Sequence, residues 1–160
     1  MPIPGAIAGV SSSGVCLPAT VRAVAGQPES FVEVVASEFG FLVDRGFRSS
    51  VESDRSVLFE SPTGVFVRVV RDPRERSISF RAGLVAEPRD ALTETEFQRL
   101  IGANVKADFS QDDSGMRIAV ERRARLLREH GERILSGDKS ILDEAKDIRI
   151  EYTRRYTKWP

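Results

Sequence analysis

The sequence is short of the residues on which most metal and nucleophile chemistry depends. It holds one cysteine, Cys16, and one histidine, His130. A single cysteine cannot close an internal disulfide, which fits a reducing compartment and a cytoplasmic protein. One histidine and one cysteine cannot build a conventional zinc site, which takes several such ligands, so no metal and no cofactor is expected. Charge of one sign is missing too. Lys+Arg and Asp+Glu stand at 24 each, for a formal net charge of +0, so no global field draws the chain to nucleic acid or a membrane surface. No apolar run approaches the length that crosses a bilayer. Lysine is scarce (Lys106, Lys139, Lys146 and Lys158). The cationic side chains are therefore mostly arginine, whose planar fork suits bidentate contacts with carboxylates.

What is present is the composition of a folded domain: 160 residues, 41% hydrophobic and 30% charged. Folding at this length buries roughly 70% of the unfolded chain's surface, enough for a core without staples. Residues 1–28 are small and apolar and carry one charge, Arg22. They read as a loosely structured leader, with Val21–Val24 as a short edge strand, ahead of a single α+β domain at 29–160. The leader has no basic n-region, and Ser11-Ser12-Ser13-Gly14 and Pro18 interrupt its apolar stretch. Ala23-Val24-Ala25 is therefore not read as a signal cleavage site. Val15 stands where a lipoprotein signal would need a small residue before Cys16.

Ser30 and Glu33 form a capping box, and Phe31, Val34, Val35, Phe39 and Leu42 follow at helical spacing. They predict a helix over 31–44, closed by Gly46. Four alternating runs come next, near 47–53, 56–61, 64–71 and 76–84, joined by turns too short for anything but antiparallel neighbours. The expected inward set is Phe47, Val51, Val57, Phe59, Val65, Val67, Val69, Ile78, Phe80 and Ala82, with 65–70 as an interior strand. Thr93 and Glu96 make a second capping box, leading into Phe97, Leu100 and Ile101. After a polar, acidic connection over 104–115, a third helix is expected over 116–135, with Met116, Val120, Ala124, Leu127, Ile134 and Leu135 inward and Gly137 at its end. A fourth begins at Ser140 and carries the stripe Ile141, Ala145, Ile148, Tyr152, Tyr156 and Trp159. That stripe predicts docking through Ile141, Ala145, Ile148, Tyr152 and Tyr156. Asp143, Glu144, Asp147, Glu151 and Arg154 are left in water. The fold expected is α+β: an N-terminal helix, a four-stranded antiparallel meander and three C-terminal helices packed on one sheet face.

No catalytic constellation is legible. His130, three after Leu127 and four before Ile134, reads as a structural histidine at the edge of a core stripe. An unfamiliar enzyme or small-ligand site would have to combine it with the acidic 108–113 segment. In GERILSGDKS the tail Gly137-Asp138-Lys139-Ser140 imitates a phosphate loop, but Asp138 breaks the spacing and repels phosphate. Asp108, Asp112 and Asp113 imitate a calcium loop, yet Ala119 stands where the bidentate glutamate belongs. Arg122, Arg123, Arg125 and Arg128 could meet nucleic acid. Glu121, Glu129 and Glu132 interleave with them and no aromatic platform accompanies them, which favours a helix face pairing with acidic neighbours.

The outward face of the meander remains. Arg48, Leu58, Glu60, Phe66, Arg68, Val70 and Arg81 would form a mixed patch there, apolar groups rimmed by arginine and glutamate, with the anatomy of a protein interface. Either a partner or the leader would cover it.

The capped helix ending FGFLVDRGF, the meander around VLFESPTGVFVRVVRD and the terminal LSGDKSILDEAKDIRIEYTRRY together resemble small uncharacterised bacterial proteins, actinobacterial ones especially. Some of these look like immunity proteins of polymorphic-toxin systems. The resemblance spans about residues 30–157 and is one of pattern, with no motif that assigns functional residues. It implies a cytoplasmic, cofactor-free inhibitor that binds a toxin. The near-neutral charge departs from immunity proteins against basic nucleases, which are often acidic. The expected function is a non-catalytic protein-binding module acting on another protein or on a second copy of itself.

Overall fold

A computed structural model describes residues 29–103 and 113–157. The expected leader strand, Asp108 and Asp112 of the acidic connection, and Trp159 lie outside the described residues.

The first helix forms where its capping box predicts. Glu33 donates its backbone N–H to Ser30 Oγ (3.3 Å), and Ser30 returns its own to Glu33 Oε2 (2.8 Å). It is two helices rather than one, α1 (Phe31–Glu38) and α2 (Gly40–Asp44). The ladder tightens at Phe39, whose carbonyl accepts from Leu42 N–H at 2.9 Å. This step brings both Phe39 and Leu42 into the core, and the weak helix former Gly40 sits where the helix gives way. Gly46 closes α2 with φ +90°. The Phe47 N–H reaches Leu42 O (3.0 Å) and the Gly46 N–H reaches Val43 O (2.9 Å), a glycine-dependent C-terminal stop.

The meander follows the predicted turns: β1 (Arg48–Ser53), β2 (Ser56–Glu60), β3 (Val65–Asp72) and β4 (Ser77–Leu84). A fifth strand of two residues, β5 (Leu92–Thr93), pairs with β4 through Arg81↔Thr93 and Ala82↔Leu92. Among the described residues the sheet is thus five-stranded and antiparallel, in the order β1-β2-β3-β4-β5, with β3 interior. β5 is too short to show alternation, and its second residue doubles as the cap of the next helix. Of the expected inward residues all but Val51 are buried. Val51 is exposed, at the end of an edge strand beside the register irregularity between Val51 and Ser53.

The helices cover the inner face. α3 (Glu94–Leu100) starts from the Thr93/Glu96 capping box. The expected third helix is also two, α4 (Asp113–His130) and α5 (Glu132–Leu135). Gly131 divides them: a Cβ there would lie 2.3 Å from Leu127 O. α6 (Lys139–Tyr156) begins before Ser140, because Asp138 Oδ1 accepts from the Ser140 N–H at 2.9 Å and so caps it. Phe39 stacks on Phe59 with centroids 5.9 Å apart, and Phe80 meets Phe97 edge-on at 5.7 Å. These rings join α1, α3 and the sheet in one core that also takes in Met116, Val120, Leu127, Ile134, Ile141 and Leu142.

The terminal helix docks through its first half only. Ile141, Leu142 and Ala145 are buried and Ile148 is half-buried, but Tyr152 is 46% and Tyr156 63% exposed. The helix outruns the body it packs on, so an apolar stripe continues past the core. The expected docking of Tyr152 and Tyr156 is corrected accordingly. Asp143, Glu144, Asp147, Glu151 and Arg154 are exposed as expected.

Candidate functional site

Two surfaces and one buried network hold the side chains from which a function could be built. The network is centred on α3. Arg123 of α4 and Glu94 of α3 form an ion pair at 3.0 Å, with side chains only 5% and 9% exposed. Glu94 also accepts from the Phe80 backbone N–H (3.3 Å) and from Gln98 Nε2 (3.0 Å), while Arg123 Nη1 donates to Ala119 O (3.0 Å). Burial pushes the Glu94 carboxyl above its ordinary value, and the pull of Arg123 and of these donors does not fully offset it. Glu94 takes the place of a strand here, satisfying a β4 edge N–H that the two-residue β5 leaves over. Two residues on, Glu96 receives Arg149 of α6 at 2.7 and 3.0 Å while still capping Thr93. Burial raises the Glu96 carboxyl, but the Arg149 and Thr93 bonds outweigh it and the net shift is downward. Lys139 to Glu87 (2.8 Å) and Lys146 to Asp90 (3.0 Å) continue this seam between α6 and the β4–β5 connection. Every polar group in it is used to hold helices in place.

The arginine run of α4 is not one surface. Arg123 is in the core. Arg128 lies over the Phe41 ring at 4.8 Å and donates to Glu38 O at 3.3 Å. Arg122 and Arg125 are exposed. Arg117, one turn earlier, pairs with Glu29 (2.9 Å) and Glu38 (2.8 Å) and ties α4 to α1. The expected solvated face is therefore interrupted: Arg123 meets its carboxylate, Glu94, inside the core, and Arg128 meets a backbone carbonyl and a ring. His130 is not at a core edge: it is exposed at the end of α4, 3.9 Å from Glu129. Asp138 caps a helix. Among the described residues no group of His, Cys, Asp and Glu is placed to hold a metal ion, and no helix is long and apolar enough to cross a membrane.

The outer sheet face collects the residues expected of it. Pairing sets them in rows: Arg48↔Glu60↔Phe66↔Gly83, and Ser50↔Leu58↔Arg68↔Arg81. Arg48, Glu60 and Arg81 are exposed, and Leu58, Arg68 and Val70 are half-buried. Phe66 is not an open anchor, being only 6% exposed. Its ring uses the space left by Gly83, whose Cβ would stand 3.4 Å from the ring and 3.0 Å from Ala91 Cα. The Arg68 guanidinium lies 5.9 Å from the ring centroid. Arg68 also pairs with Glu52 at 2.8 Å, and Glu52 accepts from Ser56 Oγ at 2.6 Å. The Arg68 Nε is buried and, among the described residues, has no hydrogen-bond partner. Two arginines therefore stand directly opposite on neighbouring strands, an arrangement that costs energy in a sheet.

The second surface was not anticipated. A cleft of about 360 Å³ runs along the free half of α6, lined by Arg99, Ile148, Glu151, Tyr152, Arg155 and Tyr156. The two tyrosine rings lie 4.4 Å apart and the Arg99 guanidinium covers Tyr152 at 5.0 Å. The signal that could have found it was the length of the apolar stripe, which extends beyond what the sheet and α3 can cover. No family model, curated protein or solved structure matches this chain.

Proposed function

We propose that this chain is a non-catalytic protein-binding module of inhibitor or immunity type, acting in a reducing, cytoplasmic setting and meeting an acidic segment of its partner with its outer sheet face. The observation that carries this reading is the Arg68↔Arg81 pair on β3 and β4. Like charges placed opposite across a sheet are destabilising, and among the described residues a carboxylate, Glu52, offsets Arg68 only. A sequence that keeps such a pair gains nothing from it in the isolated fold. A carboxylate-bearing partner laid across β3 and β4 turns the cost into attraction, since the guanidinium fork accepts carboxylates bidentately. Arg48 at the rim and the half-buried Leu58 and Val70 beside the pair add the apolar and cationic contacts of an interface.

Affinity capture with matched baits tests this. The chain and its Arg68→Glu/Arg81→Glu variant, checked by circular dichroism for an unchanged fold, are exposed to lysate of the producing cell. The reading expects a protein that the unaltered bait retains and the variant loses. Equal retention by both baits refutes it. Retention that nuclease treatment abolishes assigns the face to nucleic acid instead.

A further inference from the structure

The free half of α6 has an occupant written into its own sequence. We propose that the chain forms a two-fold symmetric dimer in which the terminal halves of two α6 helices pack antiparallel. This surface is distinct from the outer sheet face, and the proposal does not rest on the function proposed above.

Three observations carry it. The first is apolar surface beyond the fold. Ile148, Tyr152 and Tyr156 line one side of α6 at steps of four, and the two tyrosines are largely exposed. Tyrosine and arginine are the side chains most enriched at the centres of protein interfaces. The two rings are already stacked 4.4 Å apart and Arg99 holds Tyr152 in place, so little side-chain freedom is left to lose on association.

The second is the charge order along the same side. Glu151 and Arg155 flank the tyrosines, one turn apart, and pair within the chain. A two-fold axis crossing the helix at Thr153 reverses the order in the second copy. Glu151 then faces the second copy's Arg155, and Arg155 its Glu151. The same axis brings Tyr152 alongside the second copy's Tyr156 with an offset of two residues, about 3 Å of rise. One axis thus pairs the charged residues directly and keeps the tyrosine rings of the two copies within reach, which is the self-complementarity that a two-fold interface requires. A parallel arrangement would oppose Glu151 to Glu151 and Arg155 to Arg155. An acidic or basic foreign helix would satisfy one of the two charges and repel the other.

The third is the placement of the cleft. Its far wall is Arg99, at the end of α3. A second helix laid along α6 closes over this wall, where Arg99 has, among the described residues, a contact with the Tyr152 ring and no carboxylate partner.

The test is the oligomeric state of the full chain by sedimentation equilibrium, over about 1 µM to about 300 µM, where mass action reveals association. The dimer is expected to rise with concentration. Glu151→Arg and Arg155→Glu, each placing like charges across the axis, are expected to weaken it at least about tenfold. The double variant Glu151→Arg/Arg155→Glu is expected to restore it to within about threefold, because the reversed pairs match again. Both positions are exposed, so an unchanged circular dichroism melt in dilute solution confirms the fold of each variant. A chain that stays monomeric throughout overturns the proposal. So does a dimer that either single reversal leaves intact, or one that the double variant fails to rebuild. Arg68→Glu/Arg81→Glu, which targets the sheet face, is expected to leave the dimer unaltered. Its failure there would locate self-association on the sheet and also overturn the proposal.

Discussion

Removing the cation from the buried pair is the perturbation that best tests how the helices are held. Arg123→Met deletes the guanidinium and keeps much of the stem's volume. The Glu94 carboxylate is then left in the core with Gln98 and the Phe80 N–H as its remaining donors. Breaking a buried ion pair from one side typically costs about 3–5 kcal/mol, and that range is expected near neutral pH. The loss has a definite pH dependence. The Glu94 folded pKa lies above its ordinary value of 4.5, so the folded state keeps this proton where the unfolded chain has released it. Its unfavourable contribution grows as pH rises from there through the folded pKa, and is absent below. Loss of Arg123 moves the folded pKa higher still, so the cost is larger at about pH 7 than at about pH 5. Glu94→Gln added to Arg123→Met removes the unpaired charge, while its amide oxygen keeps the Phe80 N–H satisfied. The double variant is expected to regain at least about half of the loss, as neutral replacements of buried pairs do. Urea melts of both variants at the two pH values measure all of this. A loss under about 1 kcal/mol near pH 7, an equal loss at both pH values, or a double variant no better than the single would refute the reasoning.

Gly131→Ala should cost about 2 kcal/mol or more in the same melts, since its Cβ has to displace the Leu127 carbonyl, 2.3 Å away; a neutral result would mean that the α4–α5 break relaxes freely. Arg76 holds φ +50° in the β3–β4 turn. Arg76→Gly should therefore stabilise by about 0.5 kcal/mol, the left-handed penalty of about 1–2 kcal/mol being partly offset by glycine's chain entropy. Arg149→Gln should narrow its deficit against the unaltered chain as pH falls below 4.5, because the depressed Glu96 carboxyl gives stability that is present above its ordinary value and lost as pH drops through the folded one. A deficit that stays constant with pH would place the role of Arg149 in packing alone. At a concentration that keeps the chain monomeric, Leu142→Ala should cost about 2–5 kcal/mol, and Tyr152→Ala about 1 kcal/mol or less, mainly its contact with Arg99. The reverse order would mean that α6 docks in another phase.

The elements that could be read in the sequence are those with local causes. Both capping boxes, the turns at 54–55, 61–64 and 73–76 and the alternation of β2, β3 and β4 are set by neighbouring residues, and the structure places them within a residue or two of expectation. Most of what escaped depends on the far side of the fold. Neither helix break follows from hydrophobic spacing: the step at Phe39 answers to Phe59 across the core, whereas the one at Gly131 is local, a glycine set against Leu127 of the same turn. β5 exists because β4 offers it an edge. Tyr152 and Tyr156 have the spacing of core residues, and only the extent of the neighbouring elements decides that they are not. On the outer face the pattern located Phe66 on the right side of the sheet, yet Gly83 and Ala91, distant in sequence, cover it. The opposition of Arg68 and Arg81 needed the register, which alternation alone does not supply.

The division of labour along α6 follows from where its polar partners lie. Lys139, Lys146 and Arg149 each meet a carboxylate of the segment 87–96, and the apolar side chains between them are buried or half-buried. Past Arg149 no carboxylate of that segment meets α6 among the described residues, and burial stops as well. The ion pairs to that segment and the core therefore end at the same turn, and among the described residues the remaining helix is held by its own ladder, its internal Glu151–Arg155 pair and its link to Arg99. A helix of this length is marginal in water without an apolar face to bury. The exposed turns keep their order at a cost that packing in the isolated chain does not repay. The aromatic stripe that continues along them is the part of the molecule for which a second copy supplies the missing surface, whereas the arginine pair on the sheet asks for opposite charge. Since one face requires its own likeness and the other does not, perturbing either should leave the other's association unchanged.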